Sequence, residues 1–558
     1  MITADIIYIA ACLVLTAGHY TMWRGGVMEK HRLLNITALL PALATALSLV
    51  RADWETCLIP AYLGTMLYTL AFTAESAKKF LPAAVISFLS VIAAAVICLC
   101  AHGYRKPVYL EDFNKMFGTM KKYYVLSDHK KTDWDGIYAK YQPQIAALGR
   151  DSYEEYYRLC YRFCCEFNDL HIMAYPIESR NPDFTIKGIQ NEICGKDPGF
   201  TAVRLDDGRV LACCVSEESD AYAAGLRTGS ELLSFNGMEI NEYIDSAEIS
   251  YTSFADIDNL EFCRPIMAFG VYDSSAEVGF RGEDGSSVTA SVKPSGNYSE
   301  RIRSAMKLLF GEYEEDNNYS WKDLGGDVAS LEINDFMDFP ALKDKSKIQR
   351  LRDMCENTDI KSPLAYLAME EIIGQIKDAG KTKLVIDLRG NGGGSLVNAE
   401  TVIDFFTSEP LYIETEEYTN FTTGKTIHGE PDMTEGNYGT WTGDVVILVS
   451  QGTVSAAEIF TNTMKRLPNV TVMGLTDTCG CAMGVSTTTT DLLAYQFPIF
   501  RGIDEDGNIL IDSGEDMQSR LERDIKLGLG EAAFRAIFID QKDYAMDEAV
   551  RYLGGTPE

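Results

Sequence analysis

The sequence predicts a multidomain chain: a four-helix transmembrane region, a small helical domain, a β-rich domain and an α/β core. Three observations predict it. Four apolar stretches crowd the first hundred residues, the texture after them changes from helical to strand-like, and the last part alternates buried strands with helices. At 558 residues the chain exceeds a single core, given roughly 100–200 residues per domain.

The apolar stretches 6–23, 34–50, 57–73 and 80–100 each approach the ~20 residues that cross hydrocarbon, so residues 1–106 are expected to form four transmembrane helices. Arg24, Lys30 and Arg32 follow the first stretch, and Lys78 and Lys79 follow the third. The alternate side carries Arg51, then Arg105 and Lys106. By the positive-inside rule this predicts a multi-pass cell-membrane protein with everything after Lys106 outside the cytoplasm. A cleaved signal peptide fits less well, because residues 1–6 hold no base and include Asp5. The formal net charge is −31, and beyond Lys106 only 42 bases face 76 acids. Such a surface repels phosphate backbones, so no nucleic-acid partner is expected.

Residues 107–180 read as a helical domain. Phe113, Met116 and Met120, then Trp134, Ile137, Tyr138 and Tyr141, recur at helical steps, and Asn168 and Asp169 mark a helix end just before His171. Residues 185–295 read as β-rich, with short strand-like runs between turns. In AGLRTGSELLSFNGMEI at 224–240, Gly225 and Gly229 bracket a helix end and a turn, and Asn236-Gly237 is a hairpin turn. Residues 320–558 read as an α/β core, in which buried strands over 383–388 and 444–449 run into DLRGNGGG (387–394) and SQGTVSAAEIF (450–460). The fourteen cysteines include the adjacent pairs Cys164/Cys165 and Cys213/Cys214 but no zinc-finger spacing, so no metal site is expected. The glycine turn lacks the Lys-Ser/Thr of a phosphate loop and the dinucleotide spacing, and no cofactor is expected.

Ser455, with Glu458 three residues on, forms a capping box in the local string alone. The same geometry also places a serine at the positive end of a helix, where amides can stabilise an oxyanion. Context decides between them. DLRGNGGG followed some sixty residues later by GTVSAAEIF resembles the paired signature of the tail-specific, or C-terminal processing, serine peptidase family. The 224–240 stretch resembles bacterial PDZ domains, and LERDIKL at 521–527 resembles the family's closing segment, with Arg523 in place of a proline. The resemblance covers residue 107 to the end. It implies a ClpP/crotonase-like peptidase core, with Ser455 as nucleophile and an oxyanion hole from Gly393, Gly394 and Ala456. It also implies a PDZ-like peptide site at Gly199, Phe200, Gly225 and Leu226 that takes polypeptide as an added strand.

One departure matters. The lysine-dependent branch has its base about twenty-five residues after the serine, whereas GLTDTCGCAMG at 474–484 holds no lysine. The string is closer to the tricorn and interphotoreceptor-retinoid-binding-protein-like branch, whose base is a histidine in a string similar to "LxDxH". FNDLH at 167–171 matches at Asp169 and His171, so His171 is the expected base. Glu458, Glu515 and Glu522 stay open as the carboxylate that orients the site, and Lys465 is expected on the surface. The reading is a membrane-anchored serine endopeptidase that cleaves unstructured or C-terminal extracytoplasmic polypeptide by acyl transfer. The alternative is an inactive peptide- or ligand-binding protein on the same fold. Sequence leaves the oligomeric state open.

Overall fold

The chain divides into two units, Met1–Val108 and Tyr109–Glu558. The computed structural model describes residues 109–557 except 150–151, 178–185, 250–251, 312–318, 338–349, 352–359, 421–422, 424, 437 and 513–518, and the side chains of 186 and 187. Among the described residues no helix is long and apolar enough to cross a membrane. This overturns the expected fold class, of which a four-helix transmembrane region was a defining part. Length and charge are the reason: even Pro363–Asp378 has 16 residues, short of the ~20 needed, and carries Glu370, Glu371, Lys377 and Asp378. The four stretches placed in 1–106 lie outside the described residues.

Three helices come first: α1 (Tyr109–Tyr123), α2 (Trp134–Ala146) and α3 (Tyr153–Cys165). Phe113, Met116, Phe117 and Met120 line the buried face of α1, and Phe163 of α3 meets Phe113 edge-on at 5.2 Å. The Asp133 carboxylate caps α2 by accepting from the Gly136 amide. After α3 the chain turns through 166–172 into β1 (Met173–Pro176), then α4 (Ile186–Ile193).

The β-rich part holds β2 (Thr201–Arg204), β3 (Val210–Cys213), α5 (Asp220–Ala223), β4 (Leu232–Phe235), β5 (Met238–Glu239), α6 (Ile240–Ser246), α7 (Ile257–Met267), β6 (Ala276–Arg281), β7 (Ser287–Val292) and α8 (Tyr298–Phe310). β2 pairs with β3, and a second sheet runs β5-β4-β6-β7. Asn236-Gly237 makes the β4–β5 hairpin, both residues with positive φ.

The remainder holds β8 (Tyr319–Asp323), β9 (Val328–Ile333), α9 (Pro363–Asp378), β10 (Lys383–Asp387), α10 (Leu396–Ile403), β11 (Tyr412–Thr419), β12 (Thr426–Met433), β13 (Val445–Leu448), α11 (Ala456–Met464), β14 (Val470–Gly474), β15 (Val485–Thr489), β16 (Leu493–Pro498), β17 (Phe500–Ile503), β18 (Ile525–Lys526), α12 (Glu531–Phe534) and α13 (Tyr544–Tyr552). Its centre is a six-stranded sheet ordered β18-β14-β13-β10-β9-β8, parallel except for β8. Leu384, Ile386, Val445 and Ile447 pack with α9, α10 and α11, while Val385, Val446 and Leu448 pack with α13. Both faces are covered, which is why β10 and β13 are continuously apolar rather than alternating.

One pairing crosses the chain. β1 lies antiparallel to β16, with Met173 opposite Gln496 and Ala174 opposite Tyr495, in the sheet β1-β16-β15. The helical part is thereby tied to the core, and the turn before β1 is held there with it.

Candidate active site

Two loops at the carboxyl ends of adjacent parallel strands are stitched together. The turn after β10 contributes Arg389, whose buried guanidinium forks onto Asp387 and Asp543 at 2.6–2.9 Å. The loop after β13 bonds back to it: Ser450 Oγ donates to the Arg389 carbonyl at 2.5 Å, Thr453 Oγ1 to the Leu388 carbonyl at 2.7 Å, and the Val454 amide to the Asn391 carbonyl at 3.0 Å. A Cβ at Gly452 would stand 2.5 Å from the Arg389 carbonyl oxygen. The two sequence signatures are thus halves of one hydrogen-bonded structure.

Ser455 follows this loop and opens α11 with φ +58° and ψ −126°. A non-glycine residue there is strained by about 1–3 kcal/mol, a cost typical of functional turns, and the strand–turn–helix setting matches a nucleophile elbow. The expected capping box is present: the Glu458 carboxylate accepts from the Ser455 amide at 3.1 Å and the Ser455 side chain faces the Glu458 amide, although Ser455 makes no full side-chain cap hydrogen bond. The Ser455 amide also donates to the Cys481 carbonyl at 2.9 Å. The capping arrangement therefore does not bind the Ser455 hydroxyl in a full hydrogen bond, and the same geometry is open to chemistry.

Gly393 packs directly against the serine: a Cβ there would lie 2.7 Å from both Ser455 Cβ and the Val454 carbonyl oxygen, and its φ is +95°. Its amide, however, donates to Asn391 Oδ1 at 2.8 Å. That corrects its expected role, because a spent donor cannot bind an oxyanion. Of the expected donors, Gly394, which follows Gly393 and packs against Phe336 and Met337, and Ala456, which follows the serine, carry no amide hydrogen bond among the described residues.

His171 sits in the turn between α3 and β1, 9% exposed. Its Nδ1 is buried without a hydrogen-bond partner and faces Asp169 Oδ1 at 3.7 Å. Asp169, fully buried, is itself fixed by the Tyr124 hydroxyl at 2.8 Å and by the His171 amide at 2.9 Å. A nitrogen of His171, an oxygen of Asp169 and Cys481 Sγ all lie within 4.8 Å of one another. Leu170, Val454 and Cys481 share one apolar cluster. His171 is therefore brought to the residues flanking Ser455, although the two side chains make no hydrogen bond to each other here. Burial lowers the His171 pKa from 6.5; Asp169 opposes that shift and Lys130 reinforces it.

Lys130 and Asp512 were not legible in the sequence. Lys130 Nζ, in a side chain 6% exposed, meets Asp512 Oδ1 at 2.7 Å and the Asn168 carbonyl at 3.1 Å. Burial would lower its pKa, but Asp512 and Asp169 outweigh it and hold the ammonium charged. Burial pushes Asp512 up to about 7 against the pull of Lys130. Lys130 is thus a cation behind the histidine, not a lysine base. His129 joins it, with Nε2 3.3 Å from the Asp512 carbonyl oxygen.

The expected carboxylates separate. Glu458 is fully buried and accepts from the Gly480 amide at 2.7 Å and the Cys481 amide at 3.0 Å as well as from Ser455, so it builds the serine's platform and does not touch His171. Glu522 is exposed, its carbonyl accepting from Lys465 Nζ, and its assignment as a catalytic residue is corrected. Lys465 itself pairs with Asp524 at 2.9 Å. Glu515 lies outside the described residues. Asp169, which the motif marked only as a match, is the carboxylate that faces the histidine.

In the β-rich part, Gly199 (φ +92°) precedes β2, and a Cβ there would meet Ser219 Cβ at 2.2 Å. Gly225 has φ +101° in the turn after α5. Phe200 and Leu226 are fully buried, Phe200 against Phe235 and Phe269. Their side chains belong to the core, which corrects their assignment as peptide contacts. Asn259 of α7 donates to the Thr478 carbonyl at 2.8 Å, holding the loop that leads to Cys481.

Residues 328–525 match the model described as Peptidase family S41, and residues 107–159 match that of the Tricorn protease C1 domain. Among solved structures, mature CPAF aligns at 14% identity and TM-score 0.51, covering 80% of this chain and 95% of that one. Mature CPAF complexed with lactacystin aligns at 14% and 0.50, covering 80% and 96%. The photosystem II D1 C-terminal processing protease aligns at 15% and 0.33, covering 78% and 98%. At these identities the two CPAF structures show a shared fold.

Proposed function

From the chain's membership of peptidase family S41, in which it is a serine-type peptidase of the C-terminal processing class, we propose that Ser455 is its nucleophile and His171 its base. Asp169 orients the imidazole: Nδ1–H faces Asp169 and Nε2 takes the Ser455 proton as Oγ attacks the scissile carbonyl carbon. The Gly394 and Ala456 amides receive the developing oxyanion. Collapse expels the amine with the proton from His171, and water then hydrolyses the acyl-enzyme. The observation that carries this reading is Ser455 held at φ +58° with no full cap hydrogen bond on its hydroxyl, while Leu170 and Val454, the chain neighbours of His171 and Ser455, share one cluster and His171 Nδ1 is buried without a partner.

The substrate is polypeptide, captured as a strand by a PDZ-like module over 185–295 through the backbone around Gly199 and Gly225. An extracytoplasmic location for residues 107–558 belongs to the same proposal and is read by protease accessibility on intact cells; protection of that region would remove it. The central test is a fluorophosphonate probe on the full chain. Labelling is expected in the unaltered protein and absent in Ser455→Ala, with peptide cleavage lost in parallel. A folded Ser455→Ala variant that still cleaves would refute the assignment.

A further inference from the structure

We propose that Asp169, His171 and Cys481 form a binding site for a thiophilic divalent cation of the Zn²⁺ class, and that its occupation switches the peptidase off. No sequence pattern announces this site, because two ligands come from the turn before β1 and the third from the loop after β14. The fold brings together one carboxylate oxygen, one imidazole nitrogen and one sulfur within 4.8 Å of one another. Zinc bonds of about 2.0–2.3 Å in a tetrahedral site put ligand atoms roughly 3.5 Å apart, and His171 Nδ1 already stands 3.7 Å from Asp169 Oδ1. A small closure about Cys481 Sγ completes the set.

An independent observation points to a ligand. His171 Nδ1 is buried without a hydrogen-bond partner, and its residue is 9% exposed. Buried polar atoms are ordinarily paired, so an orphan aimed at a carboxylate and a sulfur invites an electrophile. The three ligands are also held from behind, as metal ligands are. Asp169 accepts from the Tyr124 hydroxyl at 2.8 Å and the His171 amide at 2.9 Å, and the Cys481 amide donates to Glu458 at 3.0 Å. Three protein ligands leave a fourth tetrahedral position for water.

Charge and ligand type set the class of ion. A sulfur–nitrogen–oxygen set selects zinc-like ions over Mg²⁺ or Ca²⁺, which prefer oxygen alone. The Lys130 ammonium opposes a cation here, but Asp512 at 2.7 Å balances its charge. Binding displaces the thiol proton of Cys481 to solvent, so the thiolate and the Asp169 carboxylate together neutralise the metal's two charges. With Nδ1 on the metal, the imidazole is turned from its base orientation. That inhibitory consequence rests on His171 being the base; the binding does not.

The experiment separates the two. Co²⁺ is added to the full-length Ser455→Ala chain, in which no catalysis is needed, and the absorption spectrum is recorded. A thiolate-to-cobalt charge-transfer band with tetrahedral d–d bands is expected at one equivalent, and Zn²⁺ should abolish it by displacement. Cys481→Ser should remove the charge-transfer band, whereas Cys479→Ser should keep it. Absence of the band in the otherwise unaltered chain overturns the site, as does a band that survives Cys481→Ser. In the active chain, Zn²⁺ should inhibit peptide cleavage reversibly to a chelator. Its half-inhibitory concentration should rise at least tenfold in Cys481→Ser, each variant compared with its own metal-free rate. A cobalt site that forms without inhibition would leave the metal site standing and remove His171 as the base.

Discussion

Replacing Glu458 by glutamine tests whether this carboxylate builds the serine's platform or orients the histidine. Its Oε1 accepts the Gly480 amide at 2.7 Å, and its Oε2 accepts those of Cys481 at 3.0 Å and Ser455 at 3.1 Å. Glutamine keeps one acceptor oxygen and turns an NH2 group toward at least one buried N–H. A single unmatched buried donor costs about 1–3 kcal/mol, so E458Q should be less stable by about 2 kcal/mol at pH 5. Burial raises the Glu458 pKa from 4.5 to about 7, against the opposing hydrogen bonds from Thr478, Gly480, Cys481 and Ser455. A carboxyl whose folded pKa lies above its unfolded value binds more protons when folded. Its contribution is full below 4.5 and is lost as pH rises to 7, a decline of roughly 3 kcal/mol. Glutamine has no such slope, so by pH 8 the deficit should close and reverse by about 1 kcal/mol. Urea unfolding of the Ser455→Ala chain, with and without E458Q, at pH 5 and pH 8 measures this. A gap equal at both pH values would refute the reasoning. In the active chain, E458Q should lower kcat without moving the acid limb of kcat/KM, and a moved limb would make Glu458 the orienting carboxylate.

The proposed base, His171, carries its own pH signature. Because burial lowers the His171 pKa, kcat/KM should fall only as pH drops below 6.5, and Lys130→Met, which removes a neighbouring positive charge, should move that limb upward. His171→Ala should cost several orders of magnitude in kcat/KM while Lys465→Ala costs little, since Lys465 is occupied by Asp524; the reverse pattern would contradict the assignment. Gly393→Ala should abolish turnover in a chain that still folds, because its Cβ would strike Ser455 Cβ and the Val454 carbonyl oxygen at 2.7 Å, and near-native kcat would contradict this. Arg389→Met leaves Asp387 and Asp543 facing each other without their cation and should destabilise by about 3–5 kcal/mol in urea unfolding, a loss below 1 kcal/mol being the contrary result.

What the sequence made legible was local. The strand over 445–448, the helix from Ala456 and the serine between them were readable because apolar runs and turn residues announce themselves within a few positions. The Gly393 turn was readable as a close backbone approach, but not that Asn391 takes its amide, since a side chain folding back two residues leaves no periodic mark. Phe200 looked like a contact residue in its motif and is core, because only the packed fold brings Phe235 and Phe269 around it. Lys130 stands in a basic run, His129-Lys130-Lys131, indistinguishable from a solvated one until Asp512 arrives from the far end of the chain. Glu522 and Glu458 were equal candidates as carboxylates, and only burial separates them.

The histidine shows where such reading ends. The string FNDLH marks His171 as a base by resemblance, but nothing local says how the turn reaches the core; the pairing of β1 with β16 ties it there, through four residue pairs. β1 is four residues long and lies at the edge of its sheet. Side chains alternate faces along a strand, so a slip of one residue in that register would turn every β1 side chain to the opposite face and carry the preceding turn with it. Ser455 is fixed by the core sheet and the Arg389 clamp, whereas His171 depends on a short edge strand. Edge strands of few pairs are the segments that open first. If His171 is the base, as proposed, opening of β1 would remove it while the core sheet and Ser455 remain in place.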